Sequence, residues 1–298
     1  MTHDHGDVRA GSRRALALAL GITALYTVVE VVGGLATGSL ALLADAVHML
    51  SDNVALALAL FAVWLADRPT TPERTYGYKR AEVLAALANG VALVALSIWI
   101  FYEAFQRFRD PPDVLGGWVL LIGLVGVAVN LAVGVILFRA RSGSLNVEAA
   151  FRHVVADLLG SIGVVAAAVA ILATGWLEAD PLVSVLIGVL VLVSSWSILR
   201  DSTTILLEAA PSGIDTRVVG QRLAAAPGVV EVHDLHIWTI TSGFPALSAH
   251  VLVGRGEDCH ARRLELARLL HDEFGIEHTT LQVDHVGERA ALVELERF

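Results

Sequence analysis

The stretch 44-ADAVHMLSDN-53 decides how this chain is read. It lies inside an apolar run, yet it carries Asp45, His48 and Asp52. His48 and Asp52 are four residues apart, so on a helix they sit one turn apart on the same face. Ionisable side chains at membrane depth are costly, and they face a partner, a cavity or an ion pathway. Further along, 151-FRHVVADLLG-160 repeats the device with His153 and Asp157. Two such pairs offer two imidazoles and two carboxylates, a donor set that suits a zinc-like cation. The rest of the chain then reads as scaffold for bringing these two helices together.

Working outward, the apolar residues are concentrated rather than spread. The chain of 298 residues is 55% hydrophobic and 17% charged, with a mean hydropathy of +0.66. A soluble domain carries more charge and less apolar content. Six apolar segments, at about 15–36, 40–66, 81–105, 116–138, 147–174 and 182–199, each approach the roughly 20 residues a helix needs to cross a bilayer. The first two are joined by little more than TGS and form a tight hairpin. The connection DRPTTPERTYGYKR is longer, and its prolines stop the helix before it. Residues 1–14 form a polar cytosolic tail with His3, Asp4 and His5, whose composition predicts an unstructured start. The apolar run that follows is too long for the core of a signal peptide and reads as a retained first span.

Basic residues set the orientation. Arg9, Arg13 and Arg14 precede the first span; Arg68, Arg74, Lys79 and Arg80 lie between the second and third. Arg139, Arg141 and Arg152 flank the gap between the fourth and fifth, and Arg200 follows the sixth. The opposite side has Arg107 and Arg109 beside Asp110 and Asp113 and almost nothing else basic. The expectation is a six-span domain at 15–200 in the cell membrane (inner or plasma), with both termini cytoplasmic.

From about residue 201 the composition changes. Eight arginines face fifteen acidic residues there, and the net charge of −9 over the whole chain argues against nucleic acid as a partner. Alternation in VEVHDLHIW and ALSAHVLV, with the turn signal SGFP between them, predicts two strands. The expected order is helix 215–225, strand 229–241, strand 246–253, helix 259–274 and strand 279–286. This αββαβ pattern suits a small α+β sheet domain at 201–298 with helices on one face. A domain this small gains from membrane attachment or from pairing with a second copy. A single cysteine, Cys259, excludes an intrachain disulfide framework and a Cys-rich zinc fold; it reads as an ordinary thiol near a helix start.

Small residues surround both His/Asp pairs: Ala44, Ala46 and Ser51 on one helix, Ala156, Gly160, Ser161 and Gly163 on the other. They permit close helix approach, which four ligands at about 2 Å from one ion require. Asp45, one turn before His48, is a candidate second acceptor for that imidazole, a proton carrier or part of an entry path. Glu30 and Asn130 are also polar within apolar runs; interhelical hydrogen bonding is one account of them, and Glu30 joins Asp45 as a candidate for a proton path. In the soluble part His233, His250 and Asp284 lie on three successive strands and form a second candidate metal set. In a regular strand His233 and His236 point to opposite faces, so at most one of them shares a face with His250.

Four stretches carry a family resemblance: SLALLADAVHMLSDN, RTYGYKRAEVLAALANG, LNVEAAFRHVVADLLGSIGV and VHDLHIW. With them the chain, from about residue 14 to 286, resembles the cation diffusion facilitator family of zinc transporters. The resemblance implies six spans, a cytosolic ferredoxin-like domain and a homodimer in the lipid bilayer. It also implies efflux of Zn²⁺ or similar divalent cations in exchange for H⁺, with zinc as a regulatory ligand of the cytosolic domain. It places the transport site at His48, Asp52, His153 and Asp157, and a His/Asp first pair goes with a preference for zinc over cadmium. Three departures stand out. Arg74 and Tyr78 occupy positions where some members place metal-binding histidines, so no ion is expected in that loop. FRARSGSLN is too short to be a His-rich collecting loop. Gln282 stands where some members have a further cytosolic His. The same cluster leaves two other classes open, an intramembrane metalloenzyme with Asp45 or Glu30 as base, and a membrane-bound metal sensor. Neither of those would move an ion across the bilayer.

Overall fold

The computed structural model describes residues 4–287 apart from 67, 69, 141–144 and 242; the side chains of residues 4–16, 52 and 153, among others, also lie outside the described set. Six long helices come first: α1 (Asp4–Thr37), α2 (Leu40–Ala66), α3 (Ala81–Arg109), α4 (Gly116–Ala140), α5 (Leu145–Thr174) and α6 (Ala179–Leu206). They are followed by α7 (Thr216–Ala224), β1 (Val229–Thr241), β2 (Phe244–Val253), α8 (Cys259–Phe274) and β3 (His278–His285). This is the helical membrane domain plus small-sheet domain that the apolar periodicity predicts. Five of the long helices carry a described apolar stretch long enough to cross a bilayer; in α2 that stretch is Leu40–Ser51. One expectation needs correcting. No proline interrupts residues 4–14, and α1 continues back to Asp4 instead of beginning after an unstructured tail.

The chain divides into two compact units, Met1–Leu58 with Ala88–Ile198, and Ala59–Leu87 with Leu199–Phe298. In the first, large apolar side chains such as Leu25, Leu35, Val193 and Trp196 are exposed on the outside, as a lipid-facing surface requires. Inside, Ala41, Leu42 and Ala44 of α2 pack with Leu93, Ile100, Val119, Val164, Ala168, Ile187 and Val191. Gly38 (φ 72°) and Gly175 (φ 71°) end α1 and α5 in the left-handed conformation that a Cβ disfavours.

The helix connections at that end are stitched to one another. Asp180 of α6, 1% exposed, caps α2: it accepts from Leu40 N at 2.7 Å, Ala41 N at 3.3 Å and Ser39 Oγ at 2.5 Å. A helix start leaves four backbone N–H groups without partners, and a carboxylate there meets both hydrogen-bonding need and dipole. Arg107 lies 3.8 Å from Asp180 Oδ2, donates to Gly38 O, and pairs with Glu103 at 3.0 Å. Leu115 N bonds Thr37 O at 3.1 Å. The entry of α2 is thereby fixed two helical turns before His48.

In the second unit, β1 pairs antiparallel with β2 and β2 parallel with β3, in the order β1-β2-β3. The parallel pair needs a crossover, which α8 supplies. Val219 and Leu223 of α7 and Leu266 and Leu270 of α8 cover one face over Val232, Leu235, Ile237, Leu247, Ala249, Val251 and Leu281. Arg222 bridges to Glu273, joining α7 to α8. The α2–α3 connection belongs to this unit: Tyr76 meets His278 edge-on at 5.9 Å, Lys79 sits 4.0 Å above Phe244, and Arg80 pairs with Glu208 at 2.9 Å. Within the connection Arg74 donates to Tyr78 Oη at 2.9 Å.

Asp180→Ala leaves Arg107 and the α2 N–H groups without their partner. It is expected to cost about 3 kcal/mol or more, read as unfolding of the full-length protein in detergent, with Asp180→Asn losing less. Asp258 caps α8, and the backbone N–H groups of Ala261 and His260 hold its carboxyl below the ordinary range. Its contribution is therefore complete above about pH 3.9 and is lost as the pH falls through the depressed value. An NMR titration of that carboxyl is expected to show the lowered midpoint, and Asp258→Asn to remove this share of the acid sensitivity.

Candidate cation site

His48 and Asp157 come from helices that the chain separates by more than a hundred residues, and the first unit brings them face to face. His48 Nε2 lies 3.3 Å from Asp157 Oδ1, with side-chain exposures of 18% and 5%. That distance exceeds an ordinary charge-assisted hydrogen bond of about 2.7–2.9 Å. Two ligands held tetrahedrally at about 2.0–2.1 Å from one ion stand about 3.3 Å apart. The other half of the expected set, Asp52 on α2 and His153 on α5, has side chains outside the described residues. Among the described residues no three His, Cys, Asp or Glu side chains converge closely enough to hold a metal ion.

The pair is set in a polar core. Ser161, four residues after Asp157, donates to Asp45 Oδ2 at 3.2 Å. Asn130 Nδ2 of α4 donates to Ser161 Oγ at 3.0 Å. Asn89 Nδ2 reaches Ser51 Oγ at 3.5 Å, and Asn53 Nδ2 reaches Thr27 Oγ1 at 3.3 Å. Asp45 takes its described hydrogen bond from Ser161. Close approach depends on glycine: a Cβ at Gly160 would lie 2.7 Å from Asp45 Oδ1.

On the sheet of the second unit, His233 pairs in register with His250, and His250 with Gln282. The two imidazoles stand edge to face with centroids 5.4 Å apart. Asp284 lies two pairs further along, opposite Leu252, and accepts from Gln282 Nε2 at 2.7 Å. The expectation that His233 and His236 point to opposite faces is overturned. His236 pairs with Ser248, two residues from His250, so three steps along β1 match two along β2. Asp234 absorbs the extra residue as a bulge at φ 53°, and both histidines reach one face. Asp234 then lies 2.8 Å from His236 Nε2 and 3.9 Å from His250 Nε2. The sequence did carry a sign of this: Val232, Leu235 and Ile237 are all apolar, which breaks strict alternation at Asp234. Cys259 Sγ lies 3.6 Å from His285 Nε2, a neighbour that spacing did not reveal.

Comparison with known proteins gives two family matches: a cation efflux transmembrane domain over residues 16–207, and the cytoplasmic domain of cation efflux proteins over residues 211–286. The chain is 42% identical to the metal cation efflux system protein CzcD of Cupriavidus metallidurans, over 95% of its own length and 89% of that protein. It is 39% identical to the cadmium, cobalt and zinc/H(+)-K(+) antiporter of Bacillus subtilis, over 95% of its length and 92% of that protein. It is 41% identical to the zinc transporter ZitB of Escherichia coli, over 96% of its length and 93% of that protein.

Gly160→Ala forces the Asp45 carboxyl or the α2–α5 contact to move, an overpacking expected to cost about 1–3 kcal/mol. Gly21→Ala, with nothing within 4 Å of the added carbon, is expected to be neutral or slightly stabilising. Unfolding midpoints of the two variants in detergent make the comparison.

Proposed function

The chain belongs to the cation efflux, or cation diffusion facilitator, family, and from that premise we propose that it exports Zn²⁺ and similar divalent cations from the cytoplasm in exchange for protons, through a site built from His48, Asp52, His153 and Asp157. The observation that carries the reading is the His48–Asp157 pair, which places a nitrogen and an oxygen donor from two helices at ligand spacing in a buried polar core. Relatives named for zinc, and for cadmium, cobalt and zinc with H⁺ and K⁺, support the substrate class and the counter-transport.

The chemistry follows from the donor set. A divalent cation needs neutral imidazole and ionised carboxylate, so binding expels protons and protonation expels the metal. Imidazole titrates near neutral pH, within the range a proton gradient spans. A site open to the cytoplasm loads the cation, and the same site open to a more acidic exterior exchanges it for protons. Rocking of one helix group against another alternates the two openings. The cytoplasmic domain pairs two copies into a homodimer. Zinc held near His233, His250 and Asp284 is proposed as a regulatory ligand that stiffens that pairing, a coupling that must run both ways.

In proteoliposomes with a pH gradient, His48→Ala and Asp157→Ala are expected to bring zinc flux to background while the protein still elutes as a folded dimer. Undiminished flux in either variant removes the site assignment. No ion movement by the wild type, despite metal binding, moves the reading to a sensor or an intramembrane enzyme.

A further inference from the structure

The entry of α2 is held by more than a helix start requires. Ser39 is already a local cap, since its Oγ accepts from Leu42 N at 3.2 Å. Asp180 of α6, 141 residues from Ser39 in the chain, adds a tertiary tie by taking the N–H groups of Leu40 and Ala41 and the Ser39 hydroxyl. Arg107 of α3, its side chain 14% exposed, sets its charge beside Asp180 and donates to Gly38 O in the turn between α1 and α2. Three helices and one turn therefore meet at a buried ion pair.

The hydrogen bonds described further along α2 are of another kind. Past His48, Ser51 Oγ receives Asn89 Nδ2 at 3.5 Å, and Asn53 Nδ2 reaches Thr27 Oγ1 at 3.3 Å. These are long bonds between neutral groups. At the entry the acceptor is a carboxylate, and Leu40 N stands 2.7 Å from it. A hydrogen bond to a charged group is roughly twice as strong as a neutral one. With a rise of about 1.5 Å per residue, His48 lies about 12 Å and Asn53 about 20 Å along the helix from Leu40. A tilt about the entry leaves the strong bonds in place and strains only the weak ones. Hinges are a few residues at element ends that absorb a change in φ and ψ. The link between α1 and α2 is Gly38 and Ser39 alone, with Gly38 at φ 72°.

We propose that Asp180 and Arg107 are positioning residues for transport: with Ser39 they form a hinge at the start of α2, about which the helix tilts to turn His48 from one opening of the cation site to the other. Neither residue touches the cation; both act through the helix that carries His48. A buried charged pair suits a pivot that stays closed, because parting it leaves each charge uncompensated. The planar guanidinium lets one side chain meet Asp180, Gly38 O and Glu103 together. Held in this way, α2 is fixed along its own axis, so its motion carries His48 toward or away from Asp157 without sliding the helix.

This inference rests on the transport reading, and the test keeps the two apart. Full-length wild type, Asp180→Asn, Arg107→Gln, Arg107→Lys and the double variant Asp180→Asn with Arg107→Gln are reconstituted. Maximal zinc flux under a pH gradient is divided by the amount of zinc-binding protein, so that loss of folded material cancels. Zinc affinity is taken in detergent from the part of binding that His48→Ala removes. Both single neutralised variants are expected to keep that affinity within about twofold and to lose about tenfold or more in normalised flux. The double variant is expected to be no worse than the poorer single one, because both act through one contact, and Arg107→Lys to recover part of the loss. In the wild type, which needs no variant to fold, the amides of Leu40, Ala41 and Leu42 are expected to stay protected from hydrogen exchange with and without zinc. Unchanged normalised flux in both single variants reduces the contact to a helix cap, overturning the hinge and leaving the transport reading standing. A fall in affinity that matches the fall in flux also overturns it, because the residues then shape the site and not its movement. Loss of amide protection when zinc binds overturns it as well, because the contact then breaks during the cycle. A wild type that binds zinc and moves none removes the transport reading, and the hinge with it.

Discussion

Carboxylates buried among membrane helices must find a positive partner, and the first unit is arranged around how each one does so. Asp180, Asp157, Asp45 and Glu30 are all nearly or wholly inaccessible, yet they are met in different ways. Asp180 is answered by backbone N–H groups, a serine hydroxyl and a guanidinium. Asp157 faces an imidazole. Asp45 takes the Ser161 hydroxyl on one oxygen, and Glu30 is wholly buried on α1. Fixed partners make structure, because removing either leaves an uncompensated charge. Exchangeable partners make function, because the group is satisfied only when something arrives.

The Asp180 cap and the His48–Asp157 pair are linked through α2. Its first turn is pinned by Asp180 from α6, and its second and third turns present Asp45 and His48 to α5. A helix held at one end by several hydrogen bonds moves as a rod or as a pivot, not by local fraying. Small residues on the facing surfaces let α2 and α5 approach closely enough for a nitrogen and an oxygen from different helices to stand 3.3 Å apart. Between membrane helices no hydrophobic drive favours association, since lipid is as apolar as leucine. Packing and polar contacts must hold them, and the Asn130–Ser161–Asp45 chain supplies polar contacts beside the His48–Asp157 pair.

In the second unit the governing constraint is the pleat of the sheet. One face is buried under α7 and α8, and the other carries the histidines. The bulge at Asp234 changes which residues belong to which face, adding His236 and a carboxylate to the His233–His250 pair. Contacts from Tyr76 and Lys79 bring the α2–α3 connection onto the same unit, where Arg74 and Tyr78 bind each other.

The sequence by itself determined the membrane class, the six long helices, the αββαβ order and the two His/Asp pairs. Each of these is written in local periodicity: runs of apolar residues, alternation of two, and spacings of four. It also pointed to Glu30, Asp45 and Asn130, since a polar residue in an apolar run is visible without coordinates. Only the tertiary structure decided who meets whom. Asp180 as the cap of α2, Ser161 as the donor to Asp45 and the approach of His48 to Asp157 all join residues far apart in the chain. Asp234 was hidden for a different reason, because a single extra residue in a strand reverses every later side chain. The physical cause is the same throughout. Spacing along one helix or strand fixes a side chain's direction, while its partner is set by the packing of other elements, which no local pattern records.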